Sequence, residues 1–403
     1  MTLAADTSLA VPRSNPAPSS GPVRFMDRGG LFGLLVKNAC LTLITLGVYR
    51  FWARAALRRY WWGSVVIAGD PLEYTGTGLE LFIGFLMFLA IMLPFGVVYG
   101  LTGLLMAGSP VVGGLLRLVE VLGFFVLIQF VTFRARRYRL SRTLWRGVRA
   151  SQGGTGWQYL QLVTGWTLLS AITLGIALPW ARIAATRYLM DRTALGDLEA
   201  RFDGRGRDLL VAWLTPYLLF FGAIALFLAL NIDILGKIGP GVAPRGVWLF
   251  SLGYIAGGIG FLVYLLIELR YTIRHTRFGD VQLSSMFSVR RVVFTVIGFS
   301  VAALVLIAIV AICVAVVLGI AHRAGMQASP QAVGFVVAIV TIVIGFGLVG
   351  ILRILWIDRA IVRQICDTMS MTNVDRLDRI GQSTAPIPSA GEGMADSFDI
   401  GAF

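Results

Sequence analysis

Eight apolar stretches run through this chain of 403 residues: 31–52, 81–105, 111–133, 157–180, 209–231, 247–269, 292–319 and 332–355. A helix needs about 20 apolar residues to cross ~30 Å of hydrocarbon, and each stretch is of that order. Several are rich in Val, Ile and Phe, which favour strands in water. In lipid the backbone must satisfy its own hydrogen bonds, so helices are expected. The composition agrees: 57% of the residues are hydrophobic and 14% are charged, against about 25% charged in ordinary soluble domains. A soluble enzyme, a disordered chain and a disulfide-stapled secreted domain are excluded. The two His (His275, His322) and three Cys (Cys40, Cys313, Cys366) form no CxxC pair and no metal-ligand spacing, and neither His follows a nucleophile elbow. No catalytic residue, cofactor or metal is therefore expected. His275 with Asp280 is the one pair that could be nominated for chemistry on a lipid.

The chain repeats itself. Residues 44–80 align without gaps to 172–208. Ile-Thr-Leu-Gly at 44–47 returns at 172–175, Trp52-Ala53-Arg54 as Trp180-Ala181-Arg182, Arg59-Tyr60 as Arg187-Tyr188, and Gly76, Gly78 and Glu80 as Gly204, Gly206 and Asp208. A third copy places Gly154 and Gly156 after Arg137-Tyr138 at the same spacing. A fourth loop, 270–291, keeps Arg270-Tyr271 and Arg274 without the glycines, and Arg363 with Asp367 is a fainter echo. Each loop reads as a helix end rich in arginine, a β-prone piece such as Ser64–Ile67, a Gly-x-Gly that permits a tight bend, and an acid at the next helix start, where the dipole favours it. The sharper alternative, a phosphate cradle, lacks a following Walker lysine.

Arginines decide the topology. Thirty of the 35 Lys and Arg fall in the N-terminal tail, in loops 50–80, 134–156, 181–208 and 270–291, and from Arg353 onward. If all eight stretches crossed, the basic residues would divide 14 to 19 between the two faces, against the positive-inside rule. If 31–52 and 157–180 enter and return, or lie at the interface, one face holds thirty and the other holds Lys237, Arg245 and Arg323. Gly47 in one, and Gly175 with Pro179 in the other, are potential breakers. The expected fold is an all-α polytopic membrane protein. It has six crossing helices in three hairpins, two re-entrant or interfacial helical segments, and short β-prone Gly-x-Gly cytoplasmic loops in internal repeats. Both termini are cytoplasmic. Residues 1–24 and 381–403 read as disordered tails, 25–133 and 134–269 as two membrane repeat modules, and 270–380 as a third helical hairpin with basic flanks.

The chain resembles the YjgN-type bacterial inner-membrane proteins, a family with a domain of unknown function. The likeness rests on Asn38, Leu41-Thr42, Thr45-Leu46-Gly47, Tyr49, Trp52-Ala53, Arg59-Tyr60, Tyr74, Gly76, Gly78 and Glu80-Leu81-Phe82. It covers roughly residues 24–380. Phe51 stands where that family usually has proline, which the second copy keeps as Pro179. The resemblance implies an inner-membrane location and brings no assigned chemistry.

Within the stretches, Arg117 and Glu120 lie three apart, on one helix face. An ionisable pair in a span is either a functional site or a snorkelling arginine with its counter-charge. The glycines at 257, 258 and 260, and at 345, 347 and 350, are expected to let helices approach closely. Arg59, Tyr60, Arg136, Arg137, Tyr138, Arg187, Tyr188 and Arg192 are the candidate cytoplasmic contacts to lipid headgroups or anions. The glycines and helix-start acids of the loops, Gly76, Gly78, Glu80, Gly154, Gly156, Gly204, Gly206 and Asp208, complete the candidate set. A nucleic-acid partner is not expected, because the basic residues flank apolar spans and Tyr60, Trp61 and Trp62 sit at an expected membrane edge. Two functions compete: a small-solute transporter or channel, and a non-transporting organiser that binds anionic lipid or a protein partner through its arginine-rich face.

Overall fold

The computed structural model describes residues 23–231, 246–323 and 329–382. The tails beyond them, and Lys237 and Arg245, lie outside the described residues. The chain is mostly helical. Among the described residues, six helices are long and apolar enough to cross a membrane: Gly78–Met106, Pro110–Ser141, Gly206–Leu230, Val247–Arg274, Val289–Ile320 and Ala338–Thr368.

In chain order, β1 (Val23–Phe25) leads to two short helices, α1 (Leu31–Ile44) and α2 (Arg50–Ser64), then β2 (Val65–Ile67) and β3 (Asp70–Tyr74). The long pair α3 (Gly78–Gly108) and α4 (Pro110–Ser141) follows, then β4 (Thr143–Trp145) and β5 (Val148–Gln152). A second short pair, α5 (Gly156–Ile172) and α6 (Leu178–Met190), precedes β6 (Thr193–Leu195) and β7 (Leu198–Phe202). The second long pair is α7 (Leu210–Leu230), entered through a 3-10 turn at Gly206–Leu209, and α8 (Val247–Arg274). After β8 (Thr276–Phe278) and β9 (Val281–Ser285) come α9 (Val289–Arg323) and α10 (Pro330–Arg353). The latter continues through a π-helical turn, Ile354–Asp358, into α11 (Arg359–Thr368) and β10 (Met369–Met371).

Stretches 31–52 and 157–180 each break in their last third, and the Thr-Leu-Gly repeat explains how. Thr45 Oγ1 donates to Leu41 O (2.7 Å) at the end of α1 and accepts from Tyr49 N (2.9 Å) at the start of α2. Thr173 does the same with Leu169 O and Ala177 N. Leu46 (φ 50°) and Leu174 (φ 51°) are left-handed, followed by Gly47 (φ 92°) and Gly175 (φ 93°). Gly47 N and Gly175 N then reach back to Thr42 O and Ser170 O, which closes the helix ends in the Schellman manner. The arms α1 and α2, of 14 and 15 residues, are about 21–23 Å long at 1.5 Å per residue, short of a ~30 Å hydrocarbon layer. Pro179 sits in the first turn of α6, where proline is tolerated, so Phe51 at the matching place in α2 leaves the break intact.

One unit recurs between the helices: a three-residue strand, a two-residue turn and a five-residue strand, at 65–74, 143–152, 193–202 and 276–285. The turns use positive φ at Ala68 and Gly69, at Arg146 and Gly147, at Gly196 and at Gly279, the conformation that tight hairpins require. The expectation that Gly-x-Gly makes the bend is corrected here, since of its six glycines only Gly154 has positive φ (79°). The other five serve by lacking a side chain. A Cβ on Gly78 or Gly206 would lie 2.7 Å from the Cα of Trp52 or Trp180, and one on Gly156 would lie 2.8 Å from the Phe130 ring. The glycine thus seats each helix start against the preceding helix. The fourth loop has the same hairpin without these glycines. It keeps the cap instead: Ser288 Oγ accepts from Arg291 N, as Thr77 does from Glu80 N and Thr155 from Gln158 N.

All ten strands pair antiparallel with their sequence neighbours, in the order β1 to β10. The hairpin turns converge on one cluster around buried Trp145, Val281 and Leu377, with Ile67, Leu198 and Phe278 beside them. The segment after β10 crosses this cluster. Asn373 Nδ2 donates to Asp280 O, Gly381 N to Asp197 Oδ1 and Gln382 Nε2 to Gly147 O. The glycines of the spans divide. A Cβ on Gly257 or Gly260 would come within 3.1–3.2 Å of α7, which is close helix packing. Gly258, Gly347 and Gly350 have no atom within 4 Å of that position, and Gly345 has only the Ile307 side chain at 3.9 Å, so the expectation of close approach fails for these four.

Candidate functional site

Arginines 50, 54 and 58 recur every four residues on α2, so they share one face. That face lines a cavity of about 880 Å³ between the α1–α2 pair, the end of α4, and α10 with its π-helical turn. Arg136 and Arg139 enter it from α4 and Arg353 from α10, while Asp358 is the carboxylate on its wall. Most of the remaining lining is apolar, including Leu35, Leu43, Leu57, Val343 and Ile351, with Asn38, Thr42 and Thr143 among it, and Gly347 and Gly350 carry no side chain into it. The lining therefore combines apolar and cationic side chains.

The structure shows what holds the arginines. Buried Arg58 donates through Nη1 to Tyr74 Oη (3.3 Å). Arg136 donates through Nε to Gln152 Oε1 (3.1 Å) and through Nη2 to Thr193 Oγ1 (3.4 Å). The Arg50 guanidinium stands 4.9 Å from the Phe51 ring centre and 5.2 Å from that of Phe85. Arg353 lies 3.6 Å from Asp358. Asn38, buried on α1, donates to Ala53 O (3.4 Å) and pins the two helices together.

Most of the candidate lipid contacts lie elsewhere, in latches between successive units. Arg59 donates to Gly76 O (3.0 Å) and Arg187 to Gly204 O (2.6 Å), each 17 residues on. The tyrosine of each pair reaches back one unit: Tyr138 to Glu80 (2.6 Å), Tyr188 to Gln158 (3.2 Å), and Tyr271 to Asp208 (2.6 Å). Arg192 stacks 3.9 Å from the Tyr188 ring centre. Tyr60 donates to Asp27 Oδ1 (2.8 Å). Burial and that hydrogen bond push the Tyr60 phenol up to about 12. The same bond and the Gly29 N–H hold the Asp27 carboxyl below its ordinary range. Arg137 stays on α4 in the described structure and does not line the cavity. Of the eight residues, Arg136 alone lines it. Arg50, Arg54, Arg58, Arg139 and Arg353 were missed, although the four-residue spacing on α2 was a visible signal.

Arg117 and Glu120 meet at 3.0 Å between α3 and α4. Thr102 Oγ1 donates to the other Glu120 oxygen (2.8 Å), and Arg117 stacks 3.5 Å from the Tyr99 ring centre. The cluster closes on itself. A second pair, Arg182 with buried Glu268 (2.5 Å), ties α6 to α8. His275 Nδ1 lies 2.9 Å from Tyr271 O, with its ring stacked on Tyr271, while the carbonyl of Asp280 accepts from Asn373.

A family model described as "Bacterial protein of unknown function (DUF898)" matches residues 21–397. The inner membrane protein YjgN of Escherichia coli O157:H7 is 31% identical over 120 residues, 30% of this chain and 28% of that protein. The YjgN protein of Salmonella typhimurium strain LT2 is 39% identical over 64 residues, 16% of each chain. The matched stretch thus spans less than a third of these relatives' length. No solved structure matches.

Proposed function

We propose, from the premise that this chain belongs to the DUF898 family of bacterial proteins of unknown function, that it is a non-transporting organiser of the inner membrane that binds an anionic lipid. The observation that carries this reading is the cavity beside α2, whose lining combines acyl-compatible apolar side chains with six arginines. Basic pockets between membrane helices suit anionic headgroups. In this reading all hairpin loops and both termini face the cytoplasm, and α1–α2 and α5–α6 dip into the cytoplasmic leaflet and return. Their tips support the placement: Leu46 is 94% exposed and Ile172 is 80% exposed, apolar surface that lipid would cover. Against a solute pathway, no more than 17% of the most apolar part of any long helix is buried. The six helices therefore share little interior among the described residues.

The test is lipid retention. The purified chain, exchanged into phosphatidylcholine vesicles with and without phosphatidylglycerol, is expected to retain the anionic lipid selectively. Replacing Arg50 and Arg54 with Gln is expected to weaken retention about tenfold or more, at about 1 kcal/mol per arginine. Equal retention of both lipids by the unaltered chain defeats the proposal. Reporter fusions at residues 143 and 195 test the topology, and signals from opposite faces overturn it.

A further inference from the structure

We infer that the second module carries a headgroup site of its own, for an anionic phospholipid of the cytoplasmic leaflet, in a hollow of about 360 Å³ beside the turn that enters α7. The inference rests on the membrane placement of the α5–α6 pair proposed above and not on the cavity beside α2. Trp166 of α5, Trp180 and Arg187 of α6, and Arg205 and Arg207 at the turn line the hollow.

Charge is the first argument. Arg205 makes its hydrogen bonds through its backbone: N donates to Tyr271 Oη (2.7 Å), and O accepts from the same hydroxyl (3.4 Å). Its guanidinium has no carboxylate partner among the described residues. Arg187 donates to the Gly204 carbonyl (2.6 Å), which occupies a donor without cancelling charge. Arg207 lies 3.6 Å from Asp208 Oδ1, while the other oxygen of that carboxylate accepts from Tyr271. Three guanidiniums thus share one carboxylate, and a phosphate oxygen is the acceptor that guanidinium forks match.

Depth is the second argument, and it selects a lipid over a soluble anion. Trp213 Nε1 donates to Gly175 O (3.0 Å), so the tip of the α5–α6 pair is fixed to α7. Trp213 stands seven residues past Gly206, or about 10 Å further along the helix. The hollow lies at the level of Gly206, where a Cβ would be 2.7 Å from the Cα of Trp180. Gly206–Leu230 is a membrane-length helix, so this level is where headgroups meet hydrocarbon. Indoles favour that depth, and arginines there attract anionic headgroups.

The repeat supplies an internal control. Trp180 and Arg187 match Trp52 and Arg59, but Trp166, Arg205 and Arg207 stand where the first copy has Asn38, Thr77 and Leu79. In the first copy Asn38 binds Ala53 O and Thr77 caps Glu80 N. In the second copy no side chain caps the turn at Arg205. A cap hydroxyl stabilises a helix start, so local stability does not account for the arginine. Topology requires arginines on that face, but it does not gather them in a hollow beside two indoles.

The experiment places the full-length protein in phosphatidylcholine nanodiscs doped with photoreactive phosphatidylglycerol or photoreactive phosphatidylcholine, the reactive group close to the glycerol. Adducts are mapped along the chain. On residues 160–190 and 203–213, phosphatidylglycerol is expected to give about fivefold more adduct than phosphatidylcholine, or above. Arg205→Thr/Arg207→Leu, which installs the residues with which the first copy folds, is expected to bring the two lipids level. Arg201→Gln, outside the hollow, is expected to keep the preference. Equal adduct from both lipids on the unaltered chain overturns the inference, and so does a double variant that keeps the preference. Excess sodium phosphate that erases the preference, where chloride at the same ionic strength does not, names a soluble anion as the occupant and overturns the lipid assignment. Adducts at the cavity beside α2 are counted separately, so either site can fail while the other stands. The ratio on the unaltered chain decides the matter even if a variant fails to fold.

Discussion

Single atoms decide whether the helix starts can seat. A methyl group on Gly78 or Gly206 would face a backbone Cα at 2.7 Å, which a side-chain rotation cannot relieve. Gly78→Ala and Gly206→Ala are each expected to lower stability by about 1–3 kcal/mol, as overpacking does. Gly100→Ala, with nothing within 4 Å, is expected to be neutral; melting curves in one detergent compare the three. The Tyr60–Asp27 bond predicts a pH window. Tyr60 is raised to about 12, so its stabilisation is full below its ordinary value near 10 and is lost as pH climbs through 12. Asp27 is lowered, so its stabilisation holds above the ordinary carboxyl value and is lost as pH falls toward the depressed one. Tyr60 is one of several tyrosines raised by burial, so phenolate absorbance should lose one of its late transitions in Tyr60→Phe, and in Asp27→Asn that same transition should move only part of the way toward 10, because burial is the larger cause. At this scale the sequence was partly legible. The 17-residue spacing from Arg59 and Arg187 to a glycine stood out, while the tyrosine-to-acid latch did not, because it joins one copy to the copy before it.

Elements were read best where length and hydropathy alone determine them. The six long helices follow from apolar runs that can satisfy their backbone only as helices, and Gly47 and Gly175 marked the breaks in the two short pairs. The role of Thr45 and Thr173, each capping two helix ends with one hydroxyl, requires the turn geometry and was not visible in spacing. The cavity was hidden for a different reason: its wall on α10 is remote in sequence, and only tertiary packing brings Gly347 and Gly350 into one cavity with Arg54. The α3–α4 pair gives a prediction at this scale. Glu120 is 7% exposed and bound by both Arg117 and Thr102, so Glu120→Ala leaves a cation without its partner and is expected to cost about 3–5 kcal/mol. The double change Arg117→Met/Glu120→Leu is expected to recover most of that loss. Thermal unfolding of the single and double variants checks it, and equal melting of the two would contradict the account.

Across the whole molecule, the segment after β10 joins turns that belong to different helical pairs. Leu377 is 7% exposed at the centre of that junction, so Leu377→Ala is expected to cost about 2–5 kcal/mol. Faster cleavage by trypsin after Arg146, whose guanidinium pairs with Asp70 and Asp378, should accompany it. Each strand pairs with its neighbour in the chain, and this has a consequence for biosynthesis. As a ribosome delivers the helical pairs one after another, every new hairpin finds its partner already made, so little of the sheet edge waits exposed. The bonds from β1 and the turn after it to α11, Phe25 to Asp367 and Asp27 to Arg359, must wait until residues 359–367 have been made. A nascent chain stalled before residue 359 therefore leaves Asp27 and the Phe25 N–H without these late partners, and β1 is held only through β2.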